Sequence, residues 1–310
     1  MREITIAAVQ MKPNLGEMED NLVKMSDFVA RIAGRQKVDL ILFPELITSG
    51  YELGVRFTNA AQMIPGPTAN LISQRAQEFG VYIAFGMVAK ERVESILYNA
   101  AVLIGPDGDL IGRYHKIHLR GEERMSFREG YRLPVFETEL GAVGLVLGWD
   151  LAFPEVARSM ALDGAELLCV LASWYKDESE EWRTYLKARA SENACFVAAS
   201  NRIGEDVTLA FGGGSMIVGP GGKIVASVDG TSAAAKKPEE KPSAGEKKDE
   251  KAAAEPEKKP DAVKKTDKDE AEEGYCVATI DLDEVRKTRE RLQLLQARHP
   301  TVYRAVVRRY

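Results

Sequence analysis

Short apolar runs alternate with longer amphipathic stretches through roughly the first 230 residues. Runs of about four to eight apolar residues bounded by glycine, proline or polar residues are typical of buried strands, and helical spacing is typical of helices. The pattern predicts strands at Ile4–Val9, Asp39–Phe43, Val81–Val88, Ala142–Leu147, Glu166–Ala172 and Phe196–Ala199. It predicts helices at Met18–Ile32, Ala69–Phe79, Glu155–Leu162 and Glu180–Asn193.

Two turns between apolar runs indicate hairpins, one at Gly105–Gly108 and the other at Gly219–Gly222. Both are rich in glycine and proline, the residues that tight turns favour. Strand–helix alternation favours parallel pairing, whereas hairpins require antiparallel pairing. The sequence therefore predicts an α/β fold with mixed sheets covered by helices.

A highly charged segment interrupts this pattern at residues 231–273. From Lys236 to Glu273 the chain has 11 Lys and 13 Asp or Glu in 38 residues, four prolines, and Val263 as its one larger apolar residue. Such a composition buries too little apolar surface to offset the entropy of ordering. We predict a disordered loop; a partner-binding loop is the alternative, although the near balance of charge indicates no particular partner.

The pattern resumes after the charged segment with a strand at Gly274–Ile280 and a helix from Asp281 to about Arg291. Because the same kind of element returns, the insertion interrupts one domain instead of separating two. We therefore predict a single domain over residues 1–310, in which residues 274–310 form the final strand, helix and C-terminal segment.

Composition and charge argue against several classes of protein. The net charge of −5 and the pI near 5.5 argue against a nucleic-acid surface, which is normally basic. With no run of eighteen apolar residues and no secretory signal after Met1, we expect no membrane span and a cytoplasmic location. Cys169, Cys195 and Cys276 lie in apolar runs, which is typical of buried free thiols in a reducing compartment.

Glu45 is the first residue that could carry chemistry. It follows the predicted strand Asp39–Phe43, and α/β folds place functional groups at such strand ends. A carboxylate beside a buried strand is a candidate general base, because burial raises its pKa toward neutrality. Taken alone, the residue is more simply interpreted as a surface or helix-capping glutamate.

Lys116 ends the strand after the first hairpin, and Glu123 follows seven residues later. A lysine near carboxylates stays charged and can stabilise a developing oxyanion, although an exposed basic strand end would have the same sequence. The neighbouring His115 and His118 have neither strand nor helix spacing for a shared metal ion. We therefore predict no metal, and no cofactor motif is present.

Gly148 lies between the apolar strand Ala142–Leu147 and a helix that begins near Pro154. A strand, a sharp turn and a helix make a nucleophile elbow, which exposes the side chain at its tip and directs the following N–H groups at a reacting atom. In this chain the residue at the tip has no side chain.

Together these segments resemble the nitrilase superfamily of carbon–nitrogen hydrolases, from Ile4 to about Tyr303 outside the charged insertion. The motifs that carry the resemblance are, in order, Ala8–Gln10, Phe43–Glu45 with Gly50–Tyr51, Tyr114–Lys116 with His118–Leu119, Trp149–Asp150, Phe153–Glu155, Arg189–Ala190, Glu192–Asn193 and Ala199–Arg202 with Gly204. The resemblance implies a four-layer α-β-β-α sandwich that acts on small amides, nitriles or related compounds. It also implies a homodimer or higher homo-oligomer, paired through Glu155–Leu162 and Asp283–Tyr303.

The family's mechanism implies roles for the residues found above. Glu45 would be the general base, Lys116 and the Trp149 N–H would stabilise the oxyanion, and Glu123 would orient Lys116 and the substrate. The cysteine nucleophile of the family corresponds to Gly148, so the attacking atom is missing. For the substrate pocket we expect Tyr51, Trp149, Ser173 and Trp174 as walls, although each aromatic residue could equally pack in the core.

Three hypotheses follow for function. The first is a pseudoenzyme that binds a small amide or carboxylate without a covalent step. The second is an active amidase, which uses water attack or whose native cysteine has been lost from this sequence. The third is a non-catalytic scaffold protein that acts through its dimer face or its charged insertion.

Overall fold

The computed structural model describes residues 1–91, 96–228 and 271–307. Most of the predicted charged insertion lies outside these ranges. Within them the chain forms strands β1 to β14, in chain order Glu3–Gln10, Leu40–Leu42, Tyr82–Lys90, Leu97–Ile104, Leu110–His115, Val135–Thr138, Gly141–Leu147, Leu167–Ala172, Phe196–Asn201, Ile203–Glu205, Ala210–Gly212, Met216–Val218, Ile224–Ser227 and Gly274–Asp281.

The described helices flank these strands. In chain order α1 to α7 are Met18–Ala33, Phe57–Ala60, Pro67–Phe79, Glu123–Ser126, Pro154–Leu162, Ser179–Asn193 and Asp283–Leu292. Every strand and helix predicted from the pattern is present, with ends shifted by at most two residues. In α3 and α5 the helix begins at proline, because the first helical position needs no N–H donor.

Two six-stranded sheets share one topology. Their strand orders are β14-β1-β2-β3-β4-β5 and β6-β7-β8-β9-β12-β13. In each sheet three central strands run parallel, namely β1-β2-β3 and β7-β8-β9, and antiparallel strands extend both sides. The prediction of mixed sheets is therefore confirmed.

Alternation along β1 shows how the layers stack. Ile4, Ile6 and Ala8 belong to one apolar core, which they share with the second sheet. Ala7 and Val9 point to the opposite face and pack with residues of α1 and α3. The second sheet is covered in turn by α5 and α6. The resulting α-β-β-α sandwich confirms the predicted architecture.

Two edge strands, β5 and β6, are less apolar than the strands that the pattern predicted. Strand β6 contains no buried residue, and β5 buries only Tyr114 fully, although an apolar strand was expected after the first hairpin. Both lie at the edge of a sheet, where one side of the strand needs no apolar cover.

No helix in the described part of the chain is long and apolar enough to cross a membrane.

Strand β14 returns the chain to the first sheet. It pairs antiparallel with β1 along its whole length, from Glu3 opposite Asp281 to Gln10 opposite Gly274. A Cβ added at Gly274 would lie 3.6 Å from Val228 Cγ1, so the chain re-enters next to the point where it leaves β13.

Candidate active site

Four chain segments bring the predicted site residues together at the ends of strands. Glu45 follows β2, Gly148 follows β7, and Ser173 follows β8. Lys116 follows β5, directly after His115. Because parallel strands end on the same edge of a sheet, these residues meet where the two sheets face each other.

Glu45 is almost completely buried, with 1% of its surface exposed. Its Oε1 accepts hydrogen bonds from Lys116 Nζ and Asn99 Nδ2, both at 2.8 Å. Its Oε2 accepts a hydrogen bond of 2.8 Å from the main-chain N–H of Ser173. The Ser173 hydroxyl donates to the carbonyl oxygen of Glu45, so it faces the backbone of the glutamate and not its carboxylate.

Lys116 lies between two carboxylates. Its Nζ is 2.8 Å from both oxygens of Glu123 and 2.8 Å from Glu45 Oε1, which uses all three of its N–H donors. The ring of Tyr51 covers the ammonium group, with its centroid 5.9 Å from Nζ. Sequence analysis predicted that these residues meet, and they do.

Asn99 is a member of this cluster that sequence analysis missed. It lies in the otherwise apolar strand β4, and its Nδ2 bridges Glu45 Oε1 at 2.8 Å and Glu123 Oε1 at 2.9 Å. The one indication in the sequence was an amide within an apolar strand. A buried amide needs hydrogen-bond partners, so its presence there predicts a polar neighbour. Asn99 therefore fixes the positions of the two carboxylates on either side of Lys116.

Burial and charge act in opposite directions on this cluster. Burial raises the pKa of Glu45, and Glu123 raises it further against the attraction of Lys116. Burial would lower the pKa of Lys116, but Glu123 and Glu45 outweigh it and hold the ammonium charged. The arrangement therefore joins a fixed positive donor to a carboxylate that favours taking a proton, which is the character of a general base.

Gly148 adopts a backbone conformation that only glycine adopts freely. Its φ is +40°, in the left-handed region, and it begins the turn Gly148–Ala152 between β7 and α5. A Cβ added here would lie 2.5 Å from Glu45 Oε2 and 2.8 Å from Oε1. The Glu45 carboxylate thus occupies the space that a side chain at position 148 would need.

Asp150, which belongs to one of the family motifs, ties the turn to the Lys116 segment, and the sequence did not indicate this role. It is fully buried and accepts from the Tyr114 hydroxyl at 2.5 Å and from the N–H groups of Ile117 and His118 at 3.2 and 2.8 Å. The His118 ring nitrogen Nδ1 lies 2.7 Å from Asp150 Oδ1. His118 is therefore a structural partner here, and the described residues contain no cluster of three or more potential metal ligands.

The pocket above Lys116 is nearly filled. Its volume is about 10 Å³, room for roughly one water molecule. All four predicted wall residues, Tyr51, Trp149, Ser173 and Trp174, line it. So do three residues that sequence analysis did not single out, Arg120, Tyr175 and Glu178. A cavity of about 210 Å³ shares the walls Tyr51 and Tyr175 and reaches Glu123.

None of the three cysteines lines this pocket. Leu147 pairs with Leu171, so Cys169 lies three residues, about 10 Å, below the level of Gly148. Burial raises the pKa of Cys195 to about 12 and raises that of Cys169 further, so both thiols stay protonated near neutral pH. Cys276 is buried in β14.

Comparison with known proteins identifies the fold and the family. The sequence profile of the carbon–nitrogen hydrolases matches residues 5–234. A probable nitrilase from Schizosaccharomyces pombe is 44% identical over 72% of this chain and 84% of its own, and an (R)-stereoselective amidase from a Pseudomonas species is 33% identical over 71% and 79%.

Among solved structures, an amidase mutant from Nesterenkonia sp. AN1, carrying the acetamide moiety of fluoroacetamide on its active-site cysteine, superimposes with a TM-score of 0.75. The two chains are 23% identical, and the match covers 97% of this chain and 96% of the amidase. This similarity supports the fold, and the sequence matches identify the family. The chain belongs to the carbon–nitrogen hydrolases.

Proposed function

We propose that this protein binds small amides or carboxylates in the pocket at Lys116 and does not form an acyl-enzyme. One observation carries the proposal. Glu45, Lys116 and Glu123 are joined by hydrogen bonds of 2.8 Å around a position, Gly148, that offers no nucleophile. The charged part of a hydrolase site is assembled, and the attacking atom is missing.

Recognition of a ligand oxygen would begin at Lys116. Its three donors are all used by Glu45 and Glu123, so an incoming carbonyl or carboxylate oxygen must replace one of these contacts. The contact with Glu45 is the one to exchange, because Glu123 holds the ammonium with both of its oxygens. We assign the Trp149 N–H, which follows Gly148, as the second donor to that oxygen.

Loss of the nucleophile should reduce turnover severely. The Nesterenkonia amidase carries its acetamide adduct on a cysteine, whereas the described residues of this chain offer only buried thiols away from Lys116. Removing a catalytic nucleophile typically costs on the order of 10⁶ in kcat. Binding is therefore the activity that this site retains.

Direct attack by water is the second candidate function. The pocket beside Glu45 has a volume of about 10 Å³, which fits one water molecule, and the raised pKa of Glu45 suits a base. Such hydrolysis would be slow and would leave no covalent intermediate. Hydroxylamine distinguishes the routes, because it converts an acyl-enzyme to a hydroxamate and does not intercept a direct attack by water.

The test compares the wild-type protein with Gly148→Cys and Gly148→Ala. Alanine adds the Cβ without the thiol, so it is the matched control for packing. We expect propionamide to bind the wild type, binding to be lost in Lys116→Met, and turnover to rise in Gly148→Cys only. We expect the wild type to be slower than Gly148→Cys by several orders of magnitude. The proposal is wrong if the wild type hydrolyses propionamide at a rate within about tenfold of that of Gly148→Cys.

A further inference from the structure

An ion pair crosses the mouth of the pocket. Arg120 Nη1 lies 2.6 Å from Glu178 Oε2, and Arg120 Nη2 lies 2.5 Å from Glu178 Oε1. Arg120 belongs to the loop between Lys116 and Glu123, and Glu178 lies directly before α6. Both side chains line the pocket above Lys116. The two side chains are 34% and 27% exposed, whereas Lys116 is 1% exposed, so the pair lies on the solvent side of the pocket.

Arg120 is held in place without the help of Glu178. Its guanidinium carbon lies 4.8 Å from the centroid of the Tyr175 ring and 5.7 Å from that of Trp149. Its main-chain N–H donates to Glu123 Oε2 at 3.0 Å. If Glu178 moves away, the guanidinium can therefore stay over the pocket.

Glu178 has fewer ties. In the described part of the chain, its carboxylate hydrogen-bonds only to Arg120, and 27% of the side chain is exposed. Water can replace Arg120 as its partner when the pair opens. The two N–H groups of Arg120 would then be free to hold another carboxylate in the same two-point geometry.

The charges inside the pocket determine which end of a ligand faces inward. Two carboxylates, Glu45 and Glu123, surround the single ammonium of Lys116. Of the two proposed ligand classes, a neutral amide is therefore favoured at Lys116 over a carboxylate, which these two anions repel. An ω-amide would therefore place its amide at Lys116 and its carboxylate at the mouth.

We propose that Arg120 selects ligands that carry a carboxylate at the end remote from the amide, and that Glu178 is its built-in competitor. In the free protein Glu178 holds the position of the ligand's carboxylate. Ligand binding exchanges one carboxylate for another on the same guanidinium group. This inference rests on the proposed function, since it assumes that the pocket binds small amides.

Titration calorimetry with two ligands of the same shape tests the proposal. Succinamate has one amide and one carboxylate, and succinamide has a second, neutral amide in place of the carboxylate. We expect the wild type to prefer succinamate and Glu178→Gln to increase that preference about tenfold, the value of one charged hydrogen-bonded contact. Arg120→Gln should remove the preference, and Arg120→Lys should restore part of it.

Several outcomes would overturn the inference. Glu178→Gln could tighten both ligands equally, which would make Glu178 a plain barrier. Arg120→Gln could leave the preference for succinamate intact. The cationic amide 3-aminopropanamide could bind best and lose its advantage in Glu178→Gln, so that Glu178 would be the selective residue. If neither succinamate nor succinamide binds any variant, the proposed function itself fails; if both bind equally, only the selectivity fails.

Discussion

Adding a single methyl group at position 148 should destabilise the protein by a calculable amount. Alanine there must adopt the left-handed conformation of Gly148, at a cost of about 1–2 kcal/mol. Its Cβ would lie 2.5 Å from Glu45 Oε2, so the carboxylate must move. Moving it breaks the bond from the Ser173 N–H, and a hydrogen bond to a charged group contributes about 1.5–3 kcal/mol. Together these give about 2.5–5 kcal/mol for Gly148→Ala.

A double-mutant cycle separates the two contributions. In a Glu45→Ala background the steric conflict is absent, so Gly148→Ala should cost only the backbone part, about 1–2 kcal/mol. The effect of alanine on the entropy of the unfolded chain is the same in both backgrounds and cancels. Urea unfolding followed by circular dichroism measures all four free energies. If the cost of Gly148→Ala agrees between the backgrounds to within about 0.5 kcal/mol, the Glu45 carboxylate does not occupy this space.

Three further predictions concern the surroundings of the pocket. Asp150→Asn replaces an acceptor of four hydrogen bonds and should cost about 2–4 kcal/mol in urea unfolding while weakening propionamide binding; a cost below about 1 kcal/mol would contradict the role assigned to it. Burial raises the pKa of Glu52, but hydrogen bonds from Thr208 and from the N–H groups of residues 207–209 outweigh burial and lower this pKa below its ordinary 4.5. Ionised Glu52 therefore stabilises the fold above about pH 4.5, and this stabilisation is lost as the pH falls through the lowered pKa. Glu52→Gln should flatten the acid side of the curve of Tm against pH. An unchanged curve would contradict this prediction. Leu162→Glu places a charge on the face proposed for the dimer, so light scattering after size exclusion should detect a monomer if the wild type is a dimer; an unchanged dimer would exclude this face.

Sequence patterns predicted the central elements because these are buried on both faces. Strands β7 and β8 are apolar runs, each followed by a turn and a helix, and β9 begins with the apolar run Phe196–Ala199. Glu45, Lys116 and Glu123 could be placed together because family motifs give their order along the chain. Their hydrogen-bonding geometry was not predictable, since it depends on the distance between two sheets.

The residues that were missed share a cause. Asn99 belongs to β4, where one amide among apolar residues gives no indication of its partners. Arg120 and Glu178 are 58 positions apart, and each alone resembles an ordinary charged surface residue. The position of the Glu45 carboxylate beside Gly148 was also not predictable from the sequence. The family resemblance predicts a cysteine at position 148, and the structure adds that the Glu45 carboxylate occupies the space beside Gly148.

The proximity of Gly274 to Val228 has a practical consequence. The chain leaves the second sheet at Val228 and re-enters the first sheet at Gly274, and these two points are neighbours in space. A short linker can join the two ends, and loop-closure entropy changes only slowly with the number of residues between them. The same junction should accept a foreign domain whose own termini lie close together, or new chain ends in a circular permutant.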